Sequence, residues 1–267
     1  MNGGVVIRTE LGDDGRTRVV ELTASAPFAA KLVGDTVHLI GAAAAPLDGD
    51  RIVFDLDLAA GTCLTVRSVA ATMAWPGRPD APPSTMDIRA RVGDHAVLRW
   101  LPEPIVPVRG CRHELRTHVE LARTARLVWR EEFVLGRANE DPGTLDAYMR
   151  VERAGQAVLH QHLAIDGSGA GAHRGAALLG GARATGSLLV VGPGAPEHCA
   201  TVGEPELRGA VLELEAGGRL ASATSTSAAI LRRWMDDRER GLTDAPDWVA
   251  APSLPGPTHP DPEGAAR

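Results

Sequence analysis

Residues 95–135, HAVLRWLPEPIVPVRGCRHELRTHVELARTARLVWREEFVL, constrain the fold more than any other stretch of the chain. Apolar and polar side chains alternate through residues 95–101, break at the Pro-punctuated stretch 102–110, and resume through 114–121 and 126–135. In 114–121, Leu115, Thr117, Val119 and Leu121 fall on one face, with Glu114, Arg116, His118 and Glu120 on the other. In 126–135, Leu127, Trp129, Phe133 and Leu135 share a face, and Arg130 and Glu132 lie opposite. A period of two is that of a strand with one buried and one wet face.

The same pattern recurs along the chain. Residues 5–9 and 18–23 flank Gly12-Asp13-Asp14-Gly15-Arg16, and residues 27–33 and 36–40 flank Gly34-Asp35. Both read as hairpins. Further strands are expected at 52–58, 63–69 and 86–92, and a third hairpin at 145–153 and 156–166 across Ala154-Gly155. A weak internal repeat joins LDLAAGTCL (56–64), ARVGDHAVL (90–98), VELARTARL (119–127) and VERAGQAVL (151–159), with GAVLELEAGGRLAS (209–222) of similar form. Units spaced by about thirty residues suggest stacked β-hairpins. The expected class is mainly β: stacked antiparallel hairpins, a β-sandwich, or a β-helix-like scaffold with one or two C-terminal helices.

Residues 167–186 are rich in Gly and Ala and read either as a loop with a short helix at 173–179 or as a packed crossing; 187–191 is a short strand. Ser227 is the expected N-cap of a helix over 228–240, with Ile230, Leu231, Trp234 and Met235 as its apolar stripe and Gly241 at C′. Residues 1–241 are expected to form one domain, followed by a disordered tail at 242–267, rich in Pro, Gly and Asp.

Hydrophobic residues make up 44% of the chain and aromatics 3%, so the core must be built from Val, Leu, Ile and Ala. A net charge of −6, without clustered basic residues, argues against a nucleic-acid partner. Cys63, Cys111 and Cys199 are too sparse for a disulfide framework and suit a reducing cytoplasm. The first residues lack a basic and an apolar signal region, and no apolar run is long enough to span a membrane. A cytoplasmic location is expected.

Candidate chemistry is thin. His160-Gln161-His162 puts two imidazoles on one strand face, with Cys111, His113 and His118 within possible reach. Such residues are either the polar face of a strand or a transient metal contact. Glu131 and Glu132 could be a paired-carboxylate acid/base site; alternatively, Glu131 pairs with an Arg at the rim of the core. Asp48 and Asp50 flank Gly49 either as plain turn residues or as groups that bind a cation or a partner Arg, and Trp234 is a further candidate partner contact. The serines lack a G-x-S-x-G elbow, and GSGAG and GPGAP lack the Lys and the strand–helix setting of a phosphate loop.

The run AVLRWLPEPIVPVRGCRHELRTHVELARTARLVWREEFVLGR resembles the central signature of the urease accessory protein UreD (UreH) family, an L-E-W-L-P-x-P-x-I-P-like run followed by A-x-L-x-x-x-E-x-x-x-x-G-R. Upstream, HLIGAAAAPLDGDRIVFDLDLAAGTCLTVRSVAAT is similar to that family's Gly-rich turn and A-T stretch; downstream, VERAGQAVLHQHLAID matches its R-x-G…D run. Two departures stand out: Ala45-Pro46-Leu47-Asp48-Gly49-Asp50 lacks the usual Gly pair, and Met73-Ala74-Trp75 replaces Lys-Val-Tyr. The resemblance implies a non-catalytic β-rich scaffold for urease maturation. It would bind UreF-like and UreG-like accessory proteins and the urease apoprotein, with nickel in transit and no tightly bound cofactor. His118, Glu120, His160 and His162 are the residues expected along the nickel route. The competing expectation is a metal-dependent hydrolase using His160 and His162 with Glu131 and Glu132.

Overall fold

The computed structural model describes residues 1–168, 171–175, 178–192 and 200–243. Among the described residues, eighteen strands precede one α-helix. They are β1 (Asn2–Leu11), β2 (Thr17–Ser25), β3 (Phe28–Val33), β4 (Thr36–Gly41), β5 (Arg51–Leu58), β6 (Cys63–Ser68), β7 (Thr72–Ala74), β8 (Ser84–Val92) and β9 (Val97–Leu101). There follow β10 (Ile105–Pro107), β11 (Arg112–Leu121), β12 (Arg126–Val134), β13 (Thr144–Arg153), β14 (Gln156–Ile165), β15 (Ala184–Val191), β16 (Ala200–Glu204), β17 (Leu207–Glu213) and β18 (Arg219–Ser225), then helix α1 (Ala228–Thr243).

The strands form two sheets. Sheet A has seven, ordered β14-β13-β11-β8-β5-β1-β2; sheet B has eleven, ordered β16-β17-β18-β15-β12-β9-β6-β4-β3, with β10 and β7 attached beside β12. The middle of the chain winds between them. Strands β5, β8, β11 and β13 stack in parallel in sheet A, and β4, β6, β9 and β12 stack in parallel in sheet B. Of the expected architectures, the β-helix-like one is realised there, with antiparallel hairpins at both ends of the chain.

This alters the reading of the repeat. LDLAAGTCL, ARVGDHAVL and VELARTARL are not hairpins; each turn carries the chain across from sheet A to sheet B. VERAGQAVL and the segment at 209–222 are true hairpins, β13–β14 and β17–β18. The physical reason is the lateral match between repeats. Leu56, Ala90, Val119 and Val151 align in one row of sheet A, and Leu64, Leu98 and Leu127 in one row of sheet B. Parallel stacking in register buries these rows against each other, each Leu or Val contributing roughly 1.5–3 kcal/mol. Four of the nine aromatics bridge the interior in a chain: Phe28 on Phe54 at 5.1 Å, Phe54 on Trp100 at 5.8 Å, and Trp100 stacked on Trp129 at 5.0 Å.

Helix α1 adds a third layer. Leu231, Trp234, Met235 and Leu242 pack on the outer face of sheet B against Val128, Leu188, Val190 and Val211. The expected wet face of 126–135 is therefore buried, and Arg130 is 1% exposed. The helix also runs past Gly241 to Thr243, because Leu242 and Thr243 are buried and Thr243 Oγ1 donates to the Glu239 carbonyl at 2.7 Å. Those contacts offset the roughly 1 kcal/mol that an internal glycine costs. In the Gly/Ala-rich segment, the described part of the expected helix at 173–179 holds a 3-10 turn at Ala172–Arg174, and β15 begins at Ala184, ahead of the expected 187. Residues 169–170, 176–177 and 193–199, including Cys199 and most of GPGAP, and the tail from 244 onward lie outside the described residues.

Candidate functional site

The site is built on β12. Its inner face carries Trp129, Glu131 and Phe133; its outer face carries Val128, Arg130 and Glu132. On the sheet-B side, β9 pairs with β12 only as far as Trp100↔Trp129, and β10 resumes at Ile105↔Phe133. Between them runs Pro102-Glu103-Pro104, and proline has no N–H to give to a ladder. A gap therefore opens beside residues 130–132.

A cavity of about 40 Å³ occupies the gap, with room for more than one water. Phe54, Ile88, Trp100, Glu103, Glu131 and Glu132 are among its lining residues. Glu131 belongs to the inner face and Glu132 to the outer, and both border the cavity. It also shares Phe28, Leu39, Ser68 and Thr72 with a second groove of about 320 Å³, lined by Ala43, Met73 and Trp75.

Glu131 is 8% exposed. Its Oε1 accepts hydrogen bonds from Thr117 Oγ1, across the sandwich on β11, at 2.8 Å and from Trp129 Nε1 at 3.2 Å. The Arg expected beside it is absent: among the described residues no cationic side chain pairs with Glu131. Burial pushes its carboxyl up to about 7, against the lowering effect of the two donors. Glu132 faces the other way. Arg130 Nε lies 3.2 Å from its carboxylate and Arg232 Nε 3.1 Å. Burial raises the Glu132 carboxyl, with Arg232 and then Arg130 opposing. The two glutamates do not form a paired acid/base site, since adjacent residues of a strand point to opposite faces.

An ionic layer surrounds Glu132 under α1. Arg130 also reaches Asp236 at 2.7 Å and Glu239 at 3.5 Å, and Arg99 reaches Glu239 at 2.9 Å. Arg232 forks onto Glu103 through Nη1 and Nη2, both at 3.1 Å. Sequence reading missed Glu103, Arg130 and Arg232 as site residues. The L-P-E-P interruption was the available signal for the gap; nothing in the pattern of α1 announced that Arg232 faces two carboxylates.

The expected route residues lie elsewhere. His118 and Glu120 on β11, and His160 and His162 on β14, are on the outer face of sheet A. His118 Nε2 lies 3.6 Å from Glu152 and 3.9 Å from Glu120; His162 Nε2 lies 3.1 Å from Asp146 and its ring stacks on Tyr148 at 4.1 Å. His160 aligns with Arg150. Among the described residues no three His, Cys, Asp or Glu side chains converge as a metal site would need. Cys111 and His113 are buried inside; His113 Nδ1 shares a hydrogen bond with Ser84 Oγ at 2.9 Å, so neither joins the outer histidines. The constellation required by the hydrolase alternative is not assembled, because His160 and His162, Glu131, and Glu132 occupy three different layers.

Of the candidate partner contacts, Asp48 accepts the Arg112 backbone N–H at 2.9 Å and pairs with its guanidinium at 3.3 Å. Asp50 accepts the Leu47 N–H at 2.9 Å and pairs with the Met1 amine. Trp234 is 7% exposed, under Arg238 at 5.2 Å. All three spend their side chains within the fold.

The UreD urease accessory protein profile matches residues 2–251. The chain belongs to this family. It is 40% identical over 264 residues to the urease accessory protein UreD of a Parafrankia strain, covering 89% of this chain and 87% of that one. It is 41% identical over 212 residues to UreD 3 of Streptomyces griseus, covering 78% and 81%. It is 37% identical over 240 residues to UreD 2 of Saccharopolyspora erythraea, covering 86% and 84%. A role in urease maturation follows from membership. Among the described residues, no helix is long and apolar enough to cross a membrane.

Proposed function

We propose that this chain is a non-catalytic scaffold in urease maturation, binding UreF-like and UreG-like accessory proteins and the urease apoprotein and guiding nickel to the urease active site from within the cytoplasm. Family membership over residues 2–251 carries the reading. The cavity supports a path for the ion: Glu131, a buried carboxylate that has no cationic partner among the described residues, borders it together with two further acidic residues, Glu103 and Glu132. Oxygen donors suit a divalent ion in passage, and ligands too few to cage it suit release.

Deleting the gene while the urease subunits are still made should abolish urease activation, and the chain should co-purify with the UreF-like partner. Normal activation in the deletion strain would refute the scaffold reading. The outer-face residues His118, Glu120, His160 and His162 offer a second path. Alanine at His160 and His162 with wild-type activation would remove it, and loss of activation would favour it over the cavity.

A further inference from the structure

Arg232 bridges two residues of the cavity lining, Glu103 and Glu132. Its guanidinium lies between Glu103, held by a two-pronged fork at 3.1 Å, and Glu132, met by Nε at 3.1 Å. Both carboxylates line the cavity, and Glu131 lies on its inner side. A guanidinium between two carboxylates occupies the position that a divalent ion would take there, with the same sign of charge and the same oxygen partners.

The two arginines paired with Glu132 differ in freedom. The Arg130 side chain is 1% exposed and is held by Glu132, Asp236 and Glu239. The Arg232 side chain is 22% exposed, and the Glu103 side chain that anchors it is 40% exposed. Arg232 can rotate towards solvent while Arg130 stays to neutralise part of the Glu132 charge. The helix does not depend on Arg232 for its place, since Leu231, Trp234 and Met235 are packed into sheet B.

We propose that Arg232 gates the cavity: its side chain closes the mouth between Glu103 and Glu132, and a divalent cation passes by displacing it. This rests on the reading that the ion travels through the cavity past Glu131.

The test uses the full chain and nickel chloride alone. Trp100 lines the cavity and Trp129 bonds Glu131, so a paramagnetic ion at Glu131 quenches their fluorescence over a constant background from the other tryptophans. Arg232→Gln should speed the quench at fixed nickel on the order of tenfold, with its amplitude kept. Glu103→Gln, which loosens the fork from the exposed side, should change the rate in the same direction by less and decides the matter if Arg232→Gln does not fold. Glu131→Gln should remove the amplitude in either background. Unchanged rates in both gate variants, with Glu131→Gln still abolishing the quench, would overturn the gate and leave the route standing. A quench that survives Glu131→Gln, or none in any variant, would overturn the route and the gate with it.

Discussion

Thr117 Oγ1 on β11 donates to Glu131 Oε1 on β12 at 2.8 Å, joining the inner faces of the two sheets through a buried polar bond. Thr117 aligns laterally with Ile88 and Met149. It is the one hydroxyl in a row where sheet packing alone would take any aliphatic residue.

The Glu131 carboxyl, raised from 4.5 to about 7, links stability to pH. The fold favours its protonated form. That contribution is complete below the unfolded value and is lost as pH rises through 7. Urea unfolding should show Glu131→Gln more stable than the parent at about pH 8, by up to ~3 kcal/mol, and nearly equal to it at about pH 4.

Thr117→Val deletes one of the two donors to the charged carboxylate while keeping the shape of the side chain. It should destabilise the protein by about 1–3 kcal/mol near pH 8 and move the Glu131 midpoint further up. The same urea series, repeated across pH, reads both effects.

Arg130→Met should unfold the chain more readily by about 3–5 kcal/mol, since the 2%-exposed Glu132 side chain loses one of its two cations and Glu239 loses one of its own. Arg240→Ala breaks an exposed pair with Asp237 on the same helix and should change stability by no more than ~0.5 kcal/mol. Comparable losses in denaturant melts of the two variants would contradict the buried layer.

His113, buried against Ser84, has its imidazole pushed down from 6.5 to about 4 by burial. The neutral ring is the folded form. Its contribution is present above about pH 6.5 and is lost as pH falls through 4. His113→Gln should flatten this acid limb by up to ~3 kcal/mol, read as a smaller fall in the unfolding midpoint between about pH 6 and pH 4.

Much of this protein is written in the order of its residues. Alternation of period two located the strands, and Gly34-Asp35 and Ala154-Gly155 marked true hairpins, because backbone pleating and turn geometry are local. The motifs around L-P-E-P and W-R-E-E-F-V-L pointed to the family. Tertiary structure alone decided which turns cross between sheets, since a hairpin and a crossing turn share one pattern of strand, turn and strand. It alone placed α1 over Arg130 and Glu132, turning an expected wet face into a buried ionic layer. And it alone set Glu103, Glu131 and Glu132 around one opening, because their meeting depends on a gap between β9 and β10 and on a helix about a hundred residues further along the chain.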